Sequence, residues 1–405
     1  MYDVIICGCG SAGFCAAVAA ARQGLRTAVV ERYGTPGGIL TVLGNNSIDQ
    51  FNNPWLPGNK MVIRGIGWEY VLRLKRDGFA FVPDMDDPPE RTGENTYVHW
   101  KYGVKVNPVA AAKVMDDMLL ESGVTLFYGQ PMVEVKTSGN RITGVVIAGR
   151  EGLRTLEGKL FLDCTGDGEL AAFAGAEFLA GDGTGIFQPG TLRFYPAVNA
   201  PEDNILNYGD NKNHVSLNTT NSDSQTLSEI EGRRMLYDEM LRGNRIMACA
   251  PAVAPREGRR IAGLAEMRVE DYKAGTVFSD AVCYSYWFVD VHRDGEPAKI
   301  EYLCHENTPT IPLSAMIAKD FTNLLMAGRC ISTDRDTNSA IRVKASCMAM
   351  GEAAGAAAAE ILKSGADAHH APVEKIRQLL HRTGAVVPGL TSPVGFREAM
   401  KGENA

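Results

Sequence analysis

No run of about eighteen apolar residues occurs anywhere in the 405-residue chain, which argues against a membrane-spanning helix. The opening, MYDVIICGCGSAG, lacks the basic region and cleavage pattern of a secretory signal and reads as a strand that begins almost at once. Positive charge is in deficit. Lys and Arg number 41 against 48 Asp and Glu, a formal charge of −7. That balance does not make the broad cationic surface of a duplex-binding protein, and no nucleic-acid partner is expected. The nine cysteines are an odd count with no disulfide spacing, so at least one is unpaired, and no metal site is expected. Cytoplasmic residence is the default expectation. What the chain does have is 45% hydrophobic and 22% charged residues, the balance of a folded domain rather than a disordered one. Its glycines cluster at turns without a three-residue period, which excludes collagen.

The most informative segment is the first. Residues 2–7 (YDVIIC) read as an apolar strand running into Gly8-Cys9-Gly10-Ser11-Ala12-Gly13. An alanine-rich helix follows to about Gln23, then a second strand, 27–30, ending at Glu31 and Arg32. Each part has a physical role in dinucleotide binding. Gly8 permits the tight turn, Gly10 lets the backbone approach a pyrophosphate, and Gly13 lets the helix pack close to the sheet. The helix N-terminus offers unpaired N–H groups to phosphate, and Glu31 lies where an acceptor of ribose hydroxyls belongs. Gly37-Gly38 follow closely, in ERYGTPGGILT. A second glycine loop beside the ribose acid favours FAD over a nicotinamide coenzyme. Thr41 either hydrogen-bonds near the flavin or caps a turn.

Beyond residue 50 the pattern loosens. An insertion holds one helix, about 66–77, and Trp55, Trp68 and Trp100, which either pack the segment or form an aromatic wall over a ligand. Asn107-Pro108 starts a helix to about Glu121. MVEVKT and ITGVVIAG, joined by Ser138-Gly139-Asn140, form a hairpin. KLFLDC is a strand ending in Thr165-Gly166-Asp167-Gly168, the C-terminal strand end where an α/β site lies. Asp167 is either a ligand or a helix cap. Residues 199–226 read as a polar surface excursion or lid, 228–243 as a helix, and the surrounding region as largely antiparallel. FTNLLMAG returns to the first domain, and SCMAMGEAAGAAAAEILKS is a helix whose small face suits close packing.

Taken together, these motifs resemble the FAD-dependent oxidoreductases, and more narrowly the dehydrogenase branch related to the flavin subunit of heterodisulfide reductase. The residues that carry the resemblance are Gly8 to Gly13 with Glu31 and Gly37-Gly38, then Asp163 to Gly168, then Pro255-Arg256-Glu257-Gly258-Arg259-Arg260. Asp290-Val291-His292, Asn323 to Arg329, and Ser339 to Val343 continuing into Gly351 and Gly355 complete the set, in order over most of the chain. The resemblance implies an α/β fold: a glutathione-reductase-like Rossmann FAD-binding domain interrupted by an α+β substrate domain. The implied organisation is FAD-binding segments 1–50, 102–174 and 321–364, an insertion at 51–101, a substrate domain at 175–320 and a helical tail at 365–405. It also implies one non-covalent FAD, with Gly328, Arg329, Arg342 and Val343 against the flavin. Two features depart from the wider family. Cys9 stands between the first two motif glycines, and neither a CxxC pair beside the flavin nor four-cysteine iron–sulfur motifs are present. Electrons therefore pass to or from an unidentified acceptor or donor.

Flavin carries the redox chemistry, while the protein orients substrate and tunes charge. His292 is the candidate base, at a strand end beside Asp290, which orients it or caps the turn; His305 is a weaker alternative. Arg256, Arg259 and Arg260 form a basic cluster, in which Arg256 is assigned to clamping a small polar substrate, a carboxylate or polyol, and the other reading is pairing with acids such as Glu257. Cys330 and Cys347 lie in flavin-side segments and are either redox-active or buried apolar groups. The leading expectation is a dehydrogenase or reductase that moves a hydride between substrate and flavin. A flavin monooxygenase and a non-catalytic electron-relay subunit are the alternatives, and a homo-oligomer is left open.

Overall fold

A computed structural model describes residues 1–87, 89–93, 96–196 and 214–401. In chain order its principal elements begin with β1 (Tyr2–Cys7), α1 (Ser11–Arg22), β2 (Thr27–Glu31), α2 (Ile66–Arg76) and α3 (Pro108–Glu121). They continue with β3 (Thr125–Tyr128), β4 (Met132–Ser138), β5 (Arg141–Gly149), β6 (Gly152–Asp163), α4 (Ser222–Leu241), β7 (Leu324–Met326) and α5 (Lys344–Ser364). All seven strands belong to one sheet. Its parallel part runs β3-β2-β1-β6-β7, while β5 pairs antiparallel with β4 and with the first half of β6. Strands covered on both faces must be apolar throughout, and β2 is buried at every position. Val4, Ile5 and Ile6 of β1 are fully buried, each worth roughly 1.5–3 kcal/mol of transfer free energy.

The register aligns the strand ends. Cys7 lies opposite Val30 and Asp163, and Asp163 opposite Met326. Gly8, Glu31, Thr165 and Gly328 therefore emerge along one carboxyl edge, the edge at which open α/β sheets bind ligands. Behind it α1 and α5 cross closely. A Cβ on Gly351 would overlap the Ala12 carbonyl, and one on Gly355 the Ala16 carbonyl. The small face expected of the alanine-rich helix thus has a definite partner.

The second domain is built from two-stranded antiparallel pairs. Residues 178–180 pair with 259–261, 190–191 with 214–215, 281–284 with 310–312, and 289–293 with 296–301. A separate small core, Leu192, Val215, Leu217, Leu236, Ala250 and Val253, seats α4. That helix starts six residues before the expected Ser228, because the Asn221 side chain accepts from Ser224 N at 2.7 Å and caps it. Of the polar excursion expected over 199–226, residues 199–213 lie outside the described residues. Trp68 is buried as expected, but Trp100 is 68% exposed and does not pack the insertion. Among the described residues no helix is long and apolar enough to cross a membrane.

Candidate active site

The glycine turn after β1 is shaped by its neighbours. Gly8 has φ +90°, and a Cβ there would overlap the Cys164 carbonyl. Gly13 packs against the Gly8 carbonyl, so it supports the turn from behind rather than facing the cavity. Around Gly10 the situation is reversed, since a Cβ there would meet no protein atom within 4 Å. Open space above a backbone that starts a helix without a side-chain cap is a cradle for an anionic group. Glu31 accepts from Cys9 N at 2.7 Å and Tyr33 N at 2.9 Å, and burial pushes its carboxyl above the usual range. Gly37 is a further correction to the expected contacts. It does not line the cavity but donates its N–H to Cys9 O at 2.7 Å, tying the second glycine loop to the first. Gly38 reaches the cavity itself. The Thr41 hydroxyl donates to the Pro36 carbonyl and caps that loop.

A single cavity of 430 Å³ runs along the carboxyl edge. Gly8, Gly10, Ser11, Ala12, Glu31, Arg32 and Gly38 line one end, and Thr165, Gly166 and Asp167 the flank. Gly328, Arg329, Arg342 and Val343 continue it toward Arg256, Asp290 and His292. The β6 loop is held by Asp163, whose buried carboxylate accepts from Thr165 N at 3.1 Å, the Thr165 hydroxyl at 2.7 Å and Ala171 N at 2.9 Å. Gly168 is the N-cap of the helix that follows, and the Thr165 hydroxyl accepts from its first N–H, that of Glu169, at 3.0 Å. Asp167 is not its cap; it pairs with Arg329 at 2.7 Å. Arg329 also donates to the carbonyls of Gly166 and Pro255, both at 2.8 Å. Its guanidinium thus clamps three loops together, and it meets the cavity as part of the wall.

At the far end the Asp290 carboxylate lies 3.1 Å from His292 Nε2. Arg342 donates to the Asp290 carbonyl at 3.0 Å and approaches its carboxylate at 3.4 Å. Burial works to raise the Asp290 carboxyl, but the His292 bond and the Arg342 charge outweigh it and hold the group below its ordinary value. An ionised acceptor fixes the proton on Nε2 and leaves a lone pair on Nδ1, which is buried without a hydrogen-bond partner. The His214 ring meets His292 edge-on at 5.3 Å, and burial, Arg256 and His292 push its pKa down. Arg256 donates to Pro189 O at 2.7 Å from the cavity wall. The neighbouring basic residues are held by other partners. Arg260 and Arg335 both bind the buried Glu257, at 2.9 and 3.0 Å, and Arg259 donates to Asp167 O at 3.0 Å. His305 lies outside the cavity, with Nε2 2.9 Å from Lys273 O.

Several lining residues were not foreseen. Asp49, Trp287 and, from one segment, Thr191 and Arg193 all reach the far end. Lys344, 3.4 Å from Asp49, joins them there, as its place in the charged flavin-side run with Arg329 and Arg342 predicts. Cys347 lines the cavity, but burial pushes its thiol up to about 12, so it is protonated and inert as a nucleophile. Cys330 is buried beneath Asp163 and likewise raised by burial.

The chain matches the family described as FAD dependent oxidoreductase over residues 3–234 and 204–380. It is 37% identical over 83 residues to the 3-oxosteroid 1-dehydrogenase of Mycolicibacterium smegmatis, a match that spans 20% of this chain and 11% of that relative. Among solved structures it is similar to a geranylgeranyl bacteriochlorophyll reductase-like protein from Thermoplasma acidophilum, with 12% identity and a TM-score of 0.45 over 94% of this chain and 83% of that one. The anhydrotetracycline hydroxylase OxyS from Streptomyces rimosus gives 15% identity and a TM-score of 0.44 over 95% and 66%.

Proposed function

The chain belongs to the FAD dependent oxidoreductase family, and from its site we propose that it dehydrogenates a small organic carboxylate, or reduces the corresponding product. FAD, when bound, supplies the hydride acceptor; every other part is performed by this chain's residues. Gly10 and the start of α1 fit the pyrophosphate, since the space above Gly10 is open and the first N–H groups of α1 carry no side-chain cap. Glu31 fits the ribose, and the Gly328 and Val343 segments fit the ring end. The division into FAD-binding segments and a substrate domain at 175–320 is part of the same proposal, as is the narrower kinship with the heterodisulfide-reductase-related branch.

The observation that carries the reading is the Asp290–His292 pair at the substrate end, both residues of which line the cavity. The His292 ring can accept the hydroxyl or amine proton as hydride leaves the adjacent carbon. Arg193, Arg256, Arg342 and Lys344 line that end, and their cationic side chains are of the kind that hold a carboxylate. Trp287 adds a flat apolar wall.

The test is an anaerobic screen in which small hydroxy, amino and saturated carboxylates are mixed with the yellow holoenzyme. Bleaching of the flavin by such a compound supports the proposal. With an active compound, Arg256→Lys should raise KM and leave FAD content unchanged, because the ammonium keeps charge but loses the planar fork. Flavin that bleaches only with a nicotinamide coenzyme, and then consumes oxygen as substrate is added, would point to the monooxygenase alternative.

A further inference from the structure

A path of rings leads from the cavity wall to the surface, and the chemistry above does not use it. Trp287 lines the cavity, and its indole stacks on Phe288 at 4.4 Å between centroids. Phe288 meets Tyr302 at 4.6 Å and His99 at 4.6 Å. The Tyr302 hydroxyl lies 3.2 Å from His99 Nδ1. The His99 ring is 5.1 Å from that of Trp100, which stands 68% exposed. Indole and phenol are the side chains that give up a single electron most readily. A phenol does so only if its proton has somewhere to go. Burial pushes the His99 pKa down, so at neutral pH its ring is uncharged and able to take that proton.

We propose that Trp287, Tyr302 with His99, and Trp100 form a route that carries oxidising equivalents from the flavin cavity to the surface. The proposal rests on the FAD reading, because its oxidant is light-excited oxidised flavin. Trp287 gives one electron to that oxidant. Tyr302 refills Trp287 and passes its hydroxyl proton to His99. Trp100 then refills Tyr302, which recovers its proton from His99, and the Trp100 radical cation releases its indole proton to water. A soluble thiol or ascorbate finally returns one electron and one proton to Trp100. The route protects the buried site by moving damage to a residue that solvent can repair.

Two measurements test it. Under blue light without reductant, frozen holoenzyme should show tyrosyl and tryptophanyl radicals by electron paramagnetic resonance. Trp287→Phe should lose them at equal flavin content, and Tyr302→Phe should lose the tyrosyl component. Separately, azide radicals from pulse radiolysis oxidise tyrosine and tryptophan side chains whether or not flavin is bound. The tyrosyl signal should then decay as tryptophanyl rises, at a rate independent of protein concentration, and Trp100→Phe or Tyr302→Phe should abolish the rise. Full radical yield in Trp287→Phe, or no transfer between Trp100 and Tyr302 in the wild type, overturns the route. Protein that binds no flavin would remove the cofactor reading, while radiolysis still decides the ring path.

Discussion

Arg342 acts on the proposed base through Asp290 rather than touching the substrate carbon. Its cation keeps Asp290 ionised. Arg342→Gln should therefore raise the Asp290 carboxyl and move the acid limb of the rate–pH profile upward. Asp290 must be ionised to hold the His292 ring, and without the cation it keeps its own proton to higher pH. An unmoved limb would restrict Arg342 to holding the Val289–Arg293 strand in place. Arg329 has a different task. Side chain and partner are both nearly excluded from water, at 8% and 7% exposure. Arg329→Met removes the closer partner of the buried Asp167 and leaves it only Arg32 at 4.0 Å, so chemical denaturation should show a loss of up to about 3–5 kcal/mol. A loss under 1 kcal/mol would mean that water reaches Asp167 and the clamp is not buried in solution.

Helices and strands differ in how openly their sequence announces them. β1, the glycine turn, α1, β2 and Glu31 were legible because each signal is local: an apolar run, glycines at fixed spacing, an acid at a strand end. The same holds for the β4–β5 hairpin and for Pro108 at the start of α3. The start of α4 was missed because Asn221 resembles the loop residues before it, and only its cap geometry marks the boundary. In the basic run Arg256 to Arg260 the pairing with Glu257 was legible as one reading, but nothing local reveals that Arg335 closes on the same buried carboxylate. One contact between helices also has a measurable consequence. Glu352 of α5 is buried, and its carboxylate accepts from Ile66 N at 2.9 Å at the start of α2. Burial pushes its pKa up to about 8. A folded pKa above the unfolded value means stability present below about pH 4.5 that is lost as pH rises through 8. Glu352→Gln keeps an acceptor and removes the charge. It should be near neutral at pH 5 and more stable than the wild type at pH 8 by about 1–4 kcal/mol in urea unfolding. Equal stability at both pH values would show that water solvates Glu352.

At the scale of the molecule, the site exists because strands distant in sequence end at one edge and a second domain closes over them. The half of the cavity nearest the glycine turn could be read from sequence, because one βαβ unit builds most of it. Of the other half, Arg256, Asp290, His292, Arg342 and Lys344 were legible as well. Asp49, Arg193 and Trp287 were not, because they converge from three segments whose meeting depends on tertiary packing alone. His292 was singled out by its place at a strand end beside Asp290, and the fold brings the two side chains within 3.1 Å. Once a bleaching substrate is in hand, the most direct measurement is anaerobic single-turnover flavin reduction in His292→Asn, followed across pH at saturating substrate. The variant should hold FAD as the wild type does, reduce it on the order of 10²- to 10⁴-fold more slowly, and lose the wild-type pH dependence. Flavin reduction at the wild-type rate, with the same pH dependence, would contradict His292 as the base.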